Sequence, residues 1–236
     1  MTTDAEQGTE LRIPLSRERV LRAAVKIADD GGIESLTMRR LAEQLGAEAM
    51  SLYYHVANKE EVLDGIAEVV VTEINDVVGR IERPATAEEW KKAVRQRILS
   101  ARQVLLRHPW APRVLESRTN TSLAVLRYYD ALLGLMHDGG FSWDLAHHAL
   151  HALGSRALGF AQELFDPNAG GGSGAGEDPA AAMQSMAEQL PHLVGMLAEV
   201  MHDDPDSTLG WCDDQSEFEF GIDLLLDGLD RLRERA

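Results

Sequence analysis

The residues best suited to chemistry lie in one short run, AMSLYYHVANKEE, at positions 49–61. Two phenolic hydroxyls, an imidazole and a lysine are all hydrogen-bond donors, and Asn58-Lys-Glu-Glu61 has the spacing of a helix N-terminal cap. Donors of this kind suit an anion, above all a phosphate oxygen. The chain has no H-E-x-x-H, no paired Glu-x-x-His set and no nucleophile elbow, so an enzyme is not expected. His147 and His151 have the i, i+4 spacing that can chelate a metal, but two histidines on one helix face more often pack or face solvent. We expect neither a metal nor a cofactor. The Gly-rich stretch DPNAGGGSGAGEDP, 166–179, fits neither GxGxxG nor a P-loop and follows no strand, which makes it a flexible linker.

These donors sit in an acidic chain of 236 residues with a formal charge of −16, which taken whole argues against a nucleic-acid partner. The charge is uneven. Residues 11–59 carry a net +2 and residues 60–236 a net −15, so a mildly basic module precedes an acidic body. One cysteine, Cys212, excludes an intrachain disulfide and suits a reducing compartment. No apolar run approaches the roughly 18 residues that cross a bilayer, and the acidic start is not a signal peptide. A cytoplasmic protein is expected.

Helical periodicity dominates, and no alternating apolar run predicts a strand. Helices are predicted at 16–30 with Ser16 as N-cap, at 37–45 from a Thr37 cap with Leu41, Ala42 and Leu45 buried, at about 48–54, and at 58–79. Further helices are predicted at about 87–107, 110–116, 120–138, 142–165, 180–202 and 215–234. The fold class is all-α. The domains read as a disordered tail over 1–14, a DNA-binding domain over 15–75 and a larger helical domain over 76–236.

Three short helices with the turn Leu45-Gly46-Ala47 between the second and third form a helix-turn-helix pattern. The last of them should enter the major groove, with Leu52 inward and Glu48, Ala49, Met50, Ser51 and Tyr53 outward. Tyr53, Tyr54 and His55 can donate to phosphate. So can Thr37, and Lys59 with the free amides at the start of its helix. Arg39 could pair with a guanine edge, and Arg40 is expected in solvent.

LTMRRLAEQLGAEAMSLYYHVANKEEVLDGIA resembles the DNA-binding domain of the TetR family of transcriptional repressors, closest to its tetracycline repressor branch. T-x-R-x-L-A-x-x-L-G, S-L-Y-x-H-V and N-K-x-x-L-D carry the likeness over about 16–75. A weaker likeness to the family's ligand-binding domain covers GGFSWDLAHHAL and FEFGIDLLLDGLDRL. Ala49 and Met50 stand where the branch has glutamine and proline, so the operator read here should differ. The resemblance implies a ligand-responsive regulator, most simply a repressor, that binds a palindromic operator as a homodimer and is released by a small inducer. The alternative is an activator, or a DNA-binding protein of the same fold with no small ligand.

For the pocket, the resemblance and the composition of the middle helices suggest Asn75, Arg97, Ala101, His108, Leu115, Tyr129, His147, His151, Ser155 and Glu163. Only Glu163 keeps the branch's residue, so magnesium-tetracycline is not the expected ligand; a bulky, partly apolar molecule is. For pairing, small residues on 142–165 and an over-wide apolar surface on 218–232 point to Ala149, Ala152, Ala157, Phe220, Leu224, Leu225 and Gly228. The helix at 58–79 would couple pocket to reading head.

Overall fold

The computed structural model describes residues 14–82, 84, 86–118, 121–159, 185, 187–200 and 214–235. All regular structure among them is helical. In chain order the helices are α1 (Arg17–Gly31), α2 (Met38–Leu45), α3 (Ala49–Leu52), α4 (Lys59–Val78), α5 (Trp90–Arg107), α6 (Ala111–Ser117), α7 (Leu123–Asp138), α8 (Trp143–Gly159), α9 (Pro191–Val200) and α10 (Asp214–Arg233). The 1–14 tail before Pro14, the 166–179 linker and Glu163 lie outside the described residues. The chain forms two compact units, Met1–Arg83 with Gln96–Gly134, and Pro84–Arg95 with Leu135–Ala236.

In the first unit, capping residues set the helix starts. The Ser16 hydroxyl accepts the Arg19 amide at 3.2 Å, and the Thr37 hydroxyl accepts the Arg40 amide at 3.1 Å. Val20, Leu21, Ala24, Ile27 and Ala28 of α1 are buried and share a core with Val62, Ile66 and Val70 of α4. The two helices approach closely at Gly65, where an added Cβ would stand 2.5 Å from a Leu21 methyl. Leu41 and Ala42 anchor α2, whereas Leu45 is only half-buried, because α2 ends there and its last turn faces outward. Gly46 then takes the left-handed conformation at φ 60, ψ 35, and the Ala47 amide closes the turn on the Ala42 carbonyl at 3.0 Å.

In the second unit, α8 and α10 pack against each other through Ala146, Ala149 and Leu153 on one side and Phe218, Ile222 and Leu226 on the other. Trp90 is buried, meets Phe141 edge-on at 4.5 Å, and donates its indole N–H to Asp230 at 3.3 Å. A polar ladder runs alongside: Lys91 pairs with Asp227, and Arg95 reaches Asp223 and Glu219, each at 2.6 Å. Trp90 is therefore a core residue of this unit.

Candidate nucleic-acid interface

The exposed face around α3 is built by one buried anchor. Leu52 is fully buried, and its burial turns the rest of this four-residue helix outward. Met50 is 71% exposed, Tyr53 44% and Tyr54 88%, with Glu48 and Ala49 exposed beside them and Ser51 half-buried. The helix is shorter than the 48–54 expected: Tyr53 to His55 form a turn, closed by the His55 amide donating to the Leu52 carbonyl at 2.8 Å. That turn lets Val56 drop into the core and sets the His55 ring half in solvent. The two exposed tyrosine rings of the turn and the Met50 side chain of α3 lie together in sequence, and contiguous exposed apolar surface marks a contact site.

The start of α4 lies immediately after. The Asn58 side chain accepts the Glu61 amide at 2.8 Å, as its capping position predicts. The Glu61 carboxylate reaches back one residue further than a standard capping box, to the Ala57 amide at 2.7 Å. The Lys59 and Glu60 amides stand at the positive end of the twenty-residue α4 with no intrahelical acceptor. Two carboxylates in this turn would repel an anion, but both are engaged. Glu60 accepts from Arg118 at 2.8 Å, and Glu61 lies 3.6 Å from Arg17.

Cations of the module differ in how committed they are. Arg39 is exposed and bonded to Glu43 at 2.9 Å, a surface pair that holds its guanidinium pKa above the ordinary value through the Glu43 hydrogen bond. Arg22 and Lys26 have i, i+4 acidic partners of their own. Lys59 and Arg40 are exposed and make no ion pair among the described residues. Arg40 was expected merely in solvent. Its availability depends on which acids stand one turn away, and the spacing to Glu43 and Glu34 does not show that Arg39 and Arg113 take them. The Thr37 oxygen accepts the Arg40 amide, and its O–H remains to donate outward.

The pocket candidates divide between the units. Asn75, Arg97, Ala101, His108, Leu115 and Tyr129 belong to the first; His147, His151 and Ser155 are exposed on α8 of the second. Asn75 donates its side-chain amide to the Ala124 carbonyl at 2.9 Å, which ties α4 to α7. Arg97 is buried near Tyr128, whose hydroxyl is pushed up to about 12 by burial, with Arg97 pulling the other way. Tyr129 is largely exposed and edge-on to Tyr128. His147 and His151 sit with ring centroids 4.7 Å apart, and among the described residues no group of three or more metal-ligating side chains occurs.

His108 does not face an open space. It is buried, with one ring nitrogen 2.8 Å from Asp29 and the other 3.3 Å from Glu73. Sequence reasoning missed this cluster because its members lie 35 and 79 positions apart. Burial pushes the Glu73 carboxyl up, and hydrogen bonds from Arg107 and His108 outweigh it, so it stays below its ordinary value.

Of the pairing candidates, Ala149 is fully buried against its own unit. Ala152, Ala157, Leu225 and Gly228 are half-buried, and Phe220 and Leu224 are 63% and 55% exposed. With Leu232 at 50%, these leave α10 a second apolar stripe opposite the one that meets α8. No helix among the described residues is long and apolar enough to cross a membrane.

Known proteins share this organisation. Residues 20–66 match the model of bacterial regulatory proteins of the tetR family, and residues 83–233 match that of the tetracyclin repressor-like C-terminal domain. The tetracycline repressor protein class C of Escherichia coli is 30% identical over 220 residues, covering 93% of this chain and 92% of its own. Among solved structures, a possible TetR family transcriptional regulator from Streptomyces coelicolor A3(2) superposes with a TM-score of 0.71 at 28% identity, covering 92% of this chain and all of its own. ActR of Streptomyces coelicolor, solved in complex with actinorhodin, gives 0.67 at 26% identity and covers 94% and 99%. With a capped helix-turn-helix head and both family domains in order, the chain belongs to the TetR family of transcriptional regulators, which are not enzymes.

Proposed function

We propose that this chain is a homodimeric, cytoplasmic repressor that binds a palindromic duplex operator and releases it when a small molecule occupies the C-terminal domain. The reading head is 15–75, and 76–236 holds ligand and partner. The observation that carries the reading is the outward face of α3, where Met50, Tyr53 and Tyr54 are exposed and followed by the Lys59 and Glu60 amides at the start of α4. Tyr53, Tyr54, His55, Thr37 and Lys59 contact the phosphate backbone. Glu48, Ala49, Met50 and Ser51 face base edges. Arg39 reaches a guanine after leaving Glu43. Ala49 and Met50 favour thymine methyl groups over hydrogen-bonded readout.

Pairing uses the second apolar stripe of α10, with Phe220, Leu224, Leu225 and Gly228 meeting their symmetry mates, and Ala152 and Ala157 of α8 at the margin. Ligand contacts come from Asn75, Arg97, Ala101, Leu115 and Tyr129 of the first unit. Asn75 can take part while keeping its bond to Ala124, because its amide has a second N–H and an acceptor oxygen. Selection of binding sites from random duplexes, followed by gel shift at graded salt, tests the reading. A palindromic consensus bound two chains at a time supports it. Absence of binding to any duplex at low ionic strength refutes it.

A further inference from the structure

We propose that Asp29, His108 and Trp110 form a clamp that fixes the angle of the reading head, and that they are positioning residues for operator binding although none touches DNA. The proposal rests on the DNA-binding reading above. The head is joined covalently to the rest of the first unit only through α4. The apolar core between α1 and α4, closest at Leu21 and Gly65, holds the first half of α1, and the corner between α5 and α6 adds a polar tie at its other end. The Trp110 indole donates to Asp29 Oδ1 at 2.7 Å, and the His108 Nδ1 lies 2.8 Å from the same oxygen. His108 Nε2 lies 3.3 Å from Glu73 of α4, which Arg107 also engages. The rings of His108 and Trp110 meet edge-on at 5.9 Å, and both residues are buried. One carboxylate on the head's scaffold helix therefore bonds two rings from the corner, and one of those rings leans on α4.

The position of Asp29 supports a purpose beyond surface chemistry. It lies in the last turn of α1, where the helix dipole disfavours a carboxylate and where no basic residue compensates. Two donors from elsewhere in the unit offset that cost. A second, weaker tie runs the same way, from Arg113 of α6 to Glu34 at 2.9 Å, exposed on both sides. A dimer presents two heads whose spacing must match half-sites about one helical turn of DNA apart. Rocking of each head spoils that match without altering any contact residue.

The test compares Trp110→Phe and Asp29→Asn with wild type on the selected two-half-site duplex and on a duplex with one half-site, at low ionic strength. Trp110→Phe keeps an aromatic ring and removes the donor, so it is the variant of choice; circular dichroism establishes that each variant is folded. Each variant should bind the two-half-site duplex about tenfold more weakly and the single half-site as wild type does. The double variant should lose no more than about the larger single loss. Faster hydrogen exchange at the Ala28 to Gly32 amides reads the released clamp without DNA. Equal losses on both duplexes, or no loss on either with wild type bound, overturn the clamp. Wild type that binds no duplex overturns the DNA reading instead, and the exchange measurement still judges whether the clamp holds α1.

Discussion

Lys59→Gln separates phosphate contact from base contact. Lys59 is exposed at the first position of α4 and has no carboxylate partner among the described residues, so its removal breaks no ion pair and leaves the Asn58 cap intact. A paired operator complex loses one cation per head, two in all. Each phosphate neutralised contributes about 0.9 to the slope of log K against log salt, so the slope should fall by about 1.8. Between about 50 and 200 mM salt that difference amounts to about a twelvefold change in the ratio of wild-type to variant affinity. The assay is a gel shift or anisotropy titration on the selected duplex and on a scrambled one at four salt concentrations. Both duplexes should lose affinity to a similar degree, because a phosphate contact carries no base information. An unchanged slope, or a loss confined to the selected sequence, would refute the placement of Lys59 on the backbone.

Other perturbations probe the scaffold and the pairing surface. Gly139→Ala should destabilise the protein by about 1–3 kcal/mol in thermal unfolding, because the new Cβ would stand 2.6 Å from the Trp90 Cβ, which is not the flexible end of a side chain. Leu224→Lys should raise the dimer dissociation constant by about a thousandfold in sedimentation, since a two-fold interface places each substitution twice; unchanged dimers would remove α10 from the interface. Arg95→Gln should cost about 1 kcal/mol at neutral pH, discounted because the groups are a third to a half exposed. Arg95 holds Asp223 below its ordinary value, and Gln215 with Arg95 does the same for Glu219. Depressed carboxylates stabilise the fold above their unfolded pKa and stop doing so as pH falls through the folded one. The gap between wild type and variant should therefore close below about pH 4.

Local signals in the sequence were strong where one residue decides a backbone outcome. Ser16, Thr37 and Asn58 start helices at the expected positions because each cap satisfies an amide three residues on, and such spacing is visible in one dimension. The outward face of α3 was equally legible, since Leu52 is the one branched aliphatic side chain of the run 48–54 and is the residue that is buried. What stayed hidden depends on distant partners. A small-residue pattern on α8 cannot say whether Ala149 meets its own α10 or another subunit, because small side chains suit both; here it meets its own. His108 looks like any polar residue at a helix end until Asp29 and Glu73 are brought to it from 79 and 35 positions away.

Net charge misleads for a related reason. Repulsion between an acidic chain and DNA is screened over about 8 Å at physiological ionic strength, so what a phosphate meets is the immediate surface. At the α4 start that surface holds Glu60 and Glu61, yet Arg118 and Arg17 engage them from the side. The Arg118 side chain is only 17% exposed and also reaches Asp64 at 3.3 Å, so it is spent on the protein and adds nothing outward. The result is a local field set by Lys59 and the helix dipole, with the acids engaged behind them. Removing Arg118 would therefore weaken DNA binding from a position that faces away from it, by handing Glu60 back to the phosphate.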